Sequence, residues 1–315
     1  MKFNLNYTPP KPAFEINHRQ KSLLAGSCFA ENIGSILSEH KFETLTNPSG
    51  ILFNPLSIYN SLIGCIERKS FDKNYVVKKG FEYFSFLHHS SVSETSEEKL
   101  AEKIDHHNRA TFKYLRDCDF LIITFGTAFY YQNIALDACV ANCHKQPAAH
   151  FEKKLLTVDK IVALYTELIK NILEINPGLK IIFTVSPVKY LKEGVIENNI
   201  SKATLLLSVN TLVQNNKSCF YFPAYEFVTD DLRDYRFYKE DMAHPNEQAI
   251  KYIWEKFSEQ YFNIQTKLLN EKINRLNTAK KHKTLHNNSE ESIKFQKHID
   301  DLIAEIKAFE PRLNF

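Results

Sequence analysis

The chain has 315 residues, enough for one large domain with an appendage or for two domains. Its 43% apolar and 24% charged content is that of a globular protein able to bury a sizeable core. The net charge of +3 resides in the tail, where 10 Lys/Arg face 7 Asp/Glu from residue 264 onward, so the first 263 residues balance to zero and no nucleic-acid partner is expected. No apolar run approaches the length of a membrane span, so no membrane partner is expected either. The stretch Met1–Asn6 lacks an apolar signal core, and the six cysteines read as reduced thiols, which together predict a cytoplasmic protein.

Residues 1–20 carry Pro9, Pro10 and Pro12 and predict an extended arm. Residues 22–25 predict a short buried strand. It ends in the small-residue turn Gly26-Ser27 and leads into a helix over 29–40 with Ile33, Ile36 and Leu37 on one face. Thr44–Thr46 is a second strand, followed by the turn Asn47-Pro48-Ser49-Gly50 and a helix over 55–67. Residues 70–118 read as an insertion, with a hairpin around Lys78-Lys79-Gly80 and a helix from Glu97 to Arg116. The continuous apolar run 119–125 predicts a strand of a parallel sheet covered on both faces, and Gly126-Thr127 ends it. Residues 129–156 read as a loop.

A helix over 158–175, a buried strand over 180–185, a helix over 201–214 and a strand over 220–222 follow. Residues 224–243 read as a loop. Pro245 then opens a helix with Ala249, Ile250, Ile253, Trp254 and Phe257 on one face. This alternation predicts an α/β fold with a doubly wound parallel sheet. Residues 1–263 form that domain. Residues 264–315 form a helical C-terminal extension, a hairpin that packs on the body or pairs two copies as a homodimer. The basic run Lys280-Lys281-His282-Lys283 lies between its helices as a solvated face.

Two stretches carry chemistry. Ser27 sits where a strand meets a helix, at the carboxyl edge where open α/β sheets build their sites. Asp241-Met242-Ala243-His244 places a carboxylate three residues before an imidazole, so Asp241 can hold one ring nitrogen of His244 and leave the other to take a proton from a serine. The backbone N–H groups of Ser27 and Cys28 at the helix start, and of Gly50 on the second turn, are candidate oxyanion donors. Taken as residues alone, the same positions fit blander roles equally well: Ser27 as a helix N-cap and His244 as a loop histidine near the final helix. Cys139, Cys143 and His144 fit no standard zinc spacing, so neither a metal nor a cofactor is expected. His144 and Lys145 are candidate substrate contacts, and Arg233 and Arg236 are candidates to hold an anionic substrate. His88 and His89 are candidate cleft residues.

The string GSCFA at 26–30 resembles the motif that names the GSCFA family, a bacterial group similar to the SGNH (GDSL-like) hydrolases. Further strings resemble later family blocks: residues 47–55, TFGTAF at 124–129, ANCHK at 141–145, TVSPVK at 184–189, SKATL at 201–205, YFPAYE at 221–226 and LRDYRFYKEDMAHPN at 232–246. The resemblance implies an SGNH-hydrolase-like three-layer sandwich. It also implies a hydrolase or transferase of O-acyl esters, acetyl among them, on a small-molecule or glycan substrate. Carried over, Ser27 is the nucleophile, His244 the base, Asp241 its orienting carboxylate, and Gly50 and Gly126 backbone donors. The chain departs from the pattern in two places. Gly-Ser-Cys replaces the usual Gly-Asp-Ser, which leaves Cys28 as the alternative nucleophile of a thiol-dependent acyltransferase. Ala128 stands where the third block carries asparagine, which leaves Thr127 or Asn142 to supply the missing donor. A non-catalytic ligand-binding module on the same scaffold is the alternative from a different class.

Overall fold

The computed structural model describes residues 5–281 and 290–315. Five parallel strands form the central sheet: β1 (Lys21–Gly26), β2 (Glu43–Thr46), β6 (Phe120–Phe125), β10 (Lys180–Val185) and β11 (Cys219–Tyr221), in the order β11-β10-β6-β1-β2. Counting only these strands, the order is 2-1-3-4-5, and its switch point lies between β1 and β6. Every residue of β6 is buried, because both faces of the strand are covered.

On one face, Leu24, Ile122 and Ile182 pack against α1 (Cys28–Glu39) and α7 (Glu247–Tyr261) through Phe29, Ile33, Leu37, Ile253 and Phe257. On the other, Leu23, Leu121, Ile123, Ile181 and Phe183 pack against α2 (Pro55–Ile66), α4 (Val158–Ile175), α5 (Val195–Asn215) and the end of α3 (Glu97–Asp117). The result is the three-layer α/β sandwich expected of an SGNH-hydrolase-like chain.

Five expectations need correction. Helix α5 begins at Val195, ahead of the expected start at Ser201, because its first turns face outward with Val195, Ile196 and Ile200. The carboxyl end of α3 is part of the sandwich, because Leu115 packs under the sheet; only the antiparallel strands β3 (Val76–Lys79), β4 (Glu82–Ser85) and β5 (Ser93–Glu94), with the start of α3, stand apart around Val92, Leu100 and Ile104. Residues 129–156 hold an antiparallel sheet of β7 (Phe129–Asn133), β8 (Ala138–Val140) and β9 (Phe151–Leu155); its strands are mostly half-exposed and lack the apolar alternation that would have marked them. The loop expected over 224–243 contains a turn, α6 (Ala224–Glu226), that continues into a π-helical turn over Phe227–Leu232. Pro245 bridges to Tyr238 rather than opening α7, and Asn246 caps that helix by accepting from Ala249 N–H at 3.1 Å.

In the tail, α8 (Ile264–Lys281) and α9 (Glu290–Phe309) pack through Leu269, Ile273 and Leu276 against Ile299, Leu302 and Ile306. The hairpin is tied to the body by Asn277 Nδ2 donating to Glu39 O (2.9 Å) and by the Arg19–Glu310 pair (3.3 Å). These ties lie at the carboxyl end of α1, the end of the sheet away from Gly26. Met1–Asn4 and, from the basic run, His282 and Lys283 fall outside the described residues.

Candidate active site

Strand β1 ends at Gly26, whose backbone passes so close to β6 that a Cβ there would lie 2.2 Å from Thr124 O; with φ +141°, only glycine fits. Gly26 N–H donates to Asn47 Oδ1 (2.9 Å), and Asn47 Nδ2 donates to Glu31 Oε2 (2.8 Å), so the first two turns are locked to α1.

Ser27 is the N-cap of α1. It is fully buried, its Oγ accepts from Phe29 N–H (3.3 Å), and its own N–H donates to Thr124 O (3.2 Å). Cys28, the first helical residue, is partly exposed. Among the described residues, its N–H makes no bond to another residue and points from the positive end of the helix. Burial pushes the Cys28 thiol up. The helix-start N–H groups and the Lys202 and Lys239 cations oppose this without cancelling it, so the thiol is protonated at neutral pH and needs a base.

His244 Nδ1 lies 2.6 Å from Asp241 Oδ2, while Asp241 Oδ1 accepts the N–H groups of Ala243 and His244, each at 2.9 Å. Those backbone donors, with the imidazole, hold the Asp241 carboxyl down at about 2, so it stays ionised across ordinary pH. The loop is anchored by Lys239 N–H on His244 O (2.7 Å) and Lys189 N–H on Ala243 O (3.0 Å). Asp241 and His244 are both about half exposed. Among the described residues, His244 makes no hydrogen bond to Ser27 or to Cys28.

The other expected donors are largely engaged. Gly50 N–H donates to Asn47 O (2.7 Å), and the N–H groups of Gly126 and Thr127 both donate to Phe53 O (2.8 and 3.0 Å). Thr127 Oγ1 lies 3.1 Å from Ser201 Oγ, and Ala128, fully buried, donates its N–H to the same Ser201 oxygen (2.7 Å). Asn142 Oδ1 accepts from His144 N–H (2.8 Å), while its amide nitrogen has no partner among the described residues. Asn142 lines a cavity of about 640 Å³ that also includes Thr127 and Tyr190. His144 is buried, with Nε2 2.8 Å from Ser85 O, so its ring holds the loop, and burial lowers its pKa. Lys145 lines the cavity.

His88 is buried against Ser85 Oγ (3.1 Å), and burial pushes its pKa down to about 4. His89 packs on Gly50, Arg236 pairs with Asp234 (3.1 Å), and Arg233 adopts a left-handed turn after the π-helix. Among the described residues, no group of three or more His, Cys, Asp or Glu side chains could hold a metal ion, and no helix is long and apolar enough to cross a membrane.

Lys202 is the residue that sequence reasoning left without a role. It is 1% exposed, and its Nζ donates to Gly126 O (2.7 Å) and Ser186 O (2.6 Å), tying the ends of β6 and β10 together within electrostatic reach of Cys28. The rings of Tyr190 and Tyr225 lie 5.2 and 5.7 Å from it. Burial pulls its pKa down to about 7. A signal was present: Asn198, Ser201 and Lys202 fall in phase with the buried stripe Leu205, Val209 and Leu212 of α5.

The model of the GSCFA family matches residues 21–257. The chain belongs to the GSCFA family. No curated protein matches this GSCFA chain in sequence. Among solved structures, a carbohydrate esterase family 3 protein from Talaromyces cellulolyticus is similar at 9% identity and TM-score 0.39, over 80% of this chain and 99% of that one. A family 3 carbohydrate esterase from Clostridium thermocellum gives 11% identity and TM-score 0.36, over 80% and 98%. An acetyl xylan esterase from Butyrivibrio proteoclasticus gives 12% identity and TM-score 0.38, over 84% and 66%. Similarity this slight says nothing of the GSCFA chain's substrate.

Proposed function

We propose that this protein is an esterase or O-acyltransferase working through a covalent acyl-enzyme, with the Cys28 thiol as nucleophile, His244 as base and Asp241 as the orienting carboxylate. The observation that carries this reading is the 2.6 Å contact of His244 Nδ1 with Asp241, in a loop anchored to Lys189 just beyond the carboxyl end of β10. An imidazole engaged at Nδ1 keeps Nε2 free for proton transfer. Cys28 is favoured over Ser27 because the serine hydroxyl is fully buried and already caps α1.

In the proposed reaction, His244 Nε2 takes the thiol proton as Sγ bonds to the ester carbonyl carbon. The oxyanion that forms meets the N–H of Cys28, which bonds no other described residue, and the amide nitrogen of Asn142. Collapse breaks the C–O bond, and the alcohol leaves with the proton from the imidazolium. Water or an acceptor alcohol then attacks the thioester carbonyl, giving its proton to His244, and the thiolate departs to be reprotonated. Catalytic contacts that are open without substrate commonly tighten when it binds, which accommodates the gap between His244 and Cys28. Short acyl esters of small alcohols or glycans are the substrate class.

The test is hydrolysis of a short-chain nitrophenyl ester by Cys28→Ala and Ser27→Ala. The reading predicts a loss of about 10³-fold or more for Cys28→Ala and a far smaller one for Ser27→Ala. The reverse pattern would move the nucleophile to Ser27. Unchanged rates in both, or a wild-type protein without turnover, would leave a binding module, a reading favoured by the fully buried Ala128 in place of an amide donor.

A further inference from the structure

The cavity of about 640 Å³ that holds Thr127, Asn142 and Tyr190 has a composition of its own. Tyr190 lines it, and the buried Tyr190 hydroxyl lies against Gly126, within electrostatic reach of Cys28. Aromatic side chains of Phe129, Tyr131 and Phe151, from the antiparallel sheet, line the cavity. Lys145, Lys189 and Lys192 line it as well. No aspartate or glutamate is among the described lining residues.

The lysines are placed by local structure. His144 and Lys145 both adopt left-handed backbone (φ 48° and 58°), a turn held by the His144 ring on Ser85 O. Lys189 is clamped over the rings of Tyr235 and Tyr238 at 4.1 and 4.3 Å, beside the loop that carries His244. Lys145 and Lys192 are exposed. Aromatic faces suit the flat or apolar face of a ring, and clustered ammonium groups suit an anion.

Resting on the acyl-transfer reading, we propose that this cavity binds the part of the ester substrate that lies away from the reacting carbonyl, and that this part is a ring-bearing group with a negative charge, a carboxylate or a phosphate. The partner chemistry is thus an anionic sugar or a similar ring, rather than a neutral alcohol.

Binding to the wild-type chain tests this without requiring turnover, so failure here is separable from failure of the acyl-transfer reading. Calorimetry would compare methyl glucoside, methyl glucuronate and glucose 6-phosphate. At least one anionic probe should bind about tenfold or more tighter than the neutral one, weakening as salt is raised. The preferred probe identifies the anion as carboxylate or phosphate. Lys145→Ala with Lys192→Ala should erase most of the preference, and Lys192→Arg should keep it; both lysines are exposed, and a thermal melt checks folding. Equal binding of the three probes, no binding of any, or a preference untouched by the lysine substitutions would overturn the proposal.

Discussion

Lys202→Met offers a test of the electrostatics under the site, because the substitution keeps the length of the side chain and removes its amine. In the wild type the amine donates to Gly126 O and Ser186 O inside a fully packed region. Without it, two buried carbonyls lose a donor, at about 1–3 kcal/mol each. A second effect depends on pH. The folded pKa of Lys202 is about 7, against 10.5 as an unperturbed side chain. Between those values the unfolded chain binds the extra proton, so wild-type stability falls as pH falls from 10.5 toward 7 and is level below. The slope is about 1.4 kcal/mol per pH unit.

The methionine variant lacks this term, so the stability gap between the two proteins should widen by about 3 kcal/mol from pH 7.5 to 9.5. Urea unfolding of both proteins at several pH values in that range measures the gap directly, and other titrating groups cancel in the difference. A gap that stays constant across the range would show an amine with an ordinary pKa, and the account of burial at this position would be wrong.

Asp241→Asn keeps the acceptor for Ala243 and His244 N–H but replaces the carboxylate at Nδ1 with a donor, fixing the wrong tautomer; kcat for a short ester should drop by about 10³-fold with the melting temperature little changed. Gly26→Ala forces a Cβ to 2.2 Å from Thr124 O, and its cost, upwards of about 4 kcal/mol, should appear as unfolded or insoluble protein on expression. Ser201→Ala orphans the buried Ala128 N–H and should lower stability in denaturant by about 1–3 kcal/mol.

The sheet was legible because its strands are covered on both faces. The runs at 120–125 and 180–185 are continuous apolar stretches that read as strands within a residue of where they lie. The helix at 158–175 was equally plain, since Ile161, Tyr165, Leu168 and Ile172 recur at helical spacing. Strands β7 to β9 were not legible, because half-exposed pairs such as Tyr130 with Lys154 carry no apolar period. The beginning of α5 was missed for a related reason: Val195, Ile196 and Ile200 face outward while Asn198 and Lys202 face in, inverting the usual pattern. At the site, the spacing made Asp241 and His244 a candidate pair, since three residues of loop allow both the ring contact and the backbone bonds, but a loop histidine fitted the same spacing equally well. Which neighbour, Ser27 or Cys28, faces the cleft depends on burial, which adjacent positions at a helix start do not reveal.

The most direct measurement is the intact mass of the protein quenched during turnover of a short acyl ester, followed by peptide mapping. An acyl group attached through Cys28, labile to hydroxylamine at neutral pH as a thioester is, is the predicted result. An acyl group on Ser27, or turnover that survives in Cys28→Ala at the wild-type rate, would contradict the account.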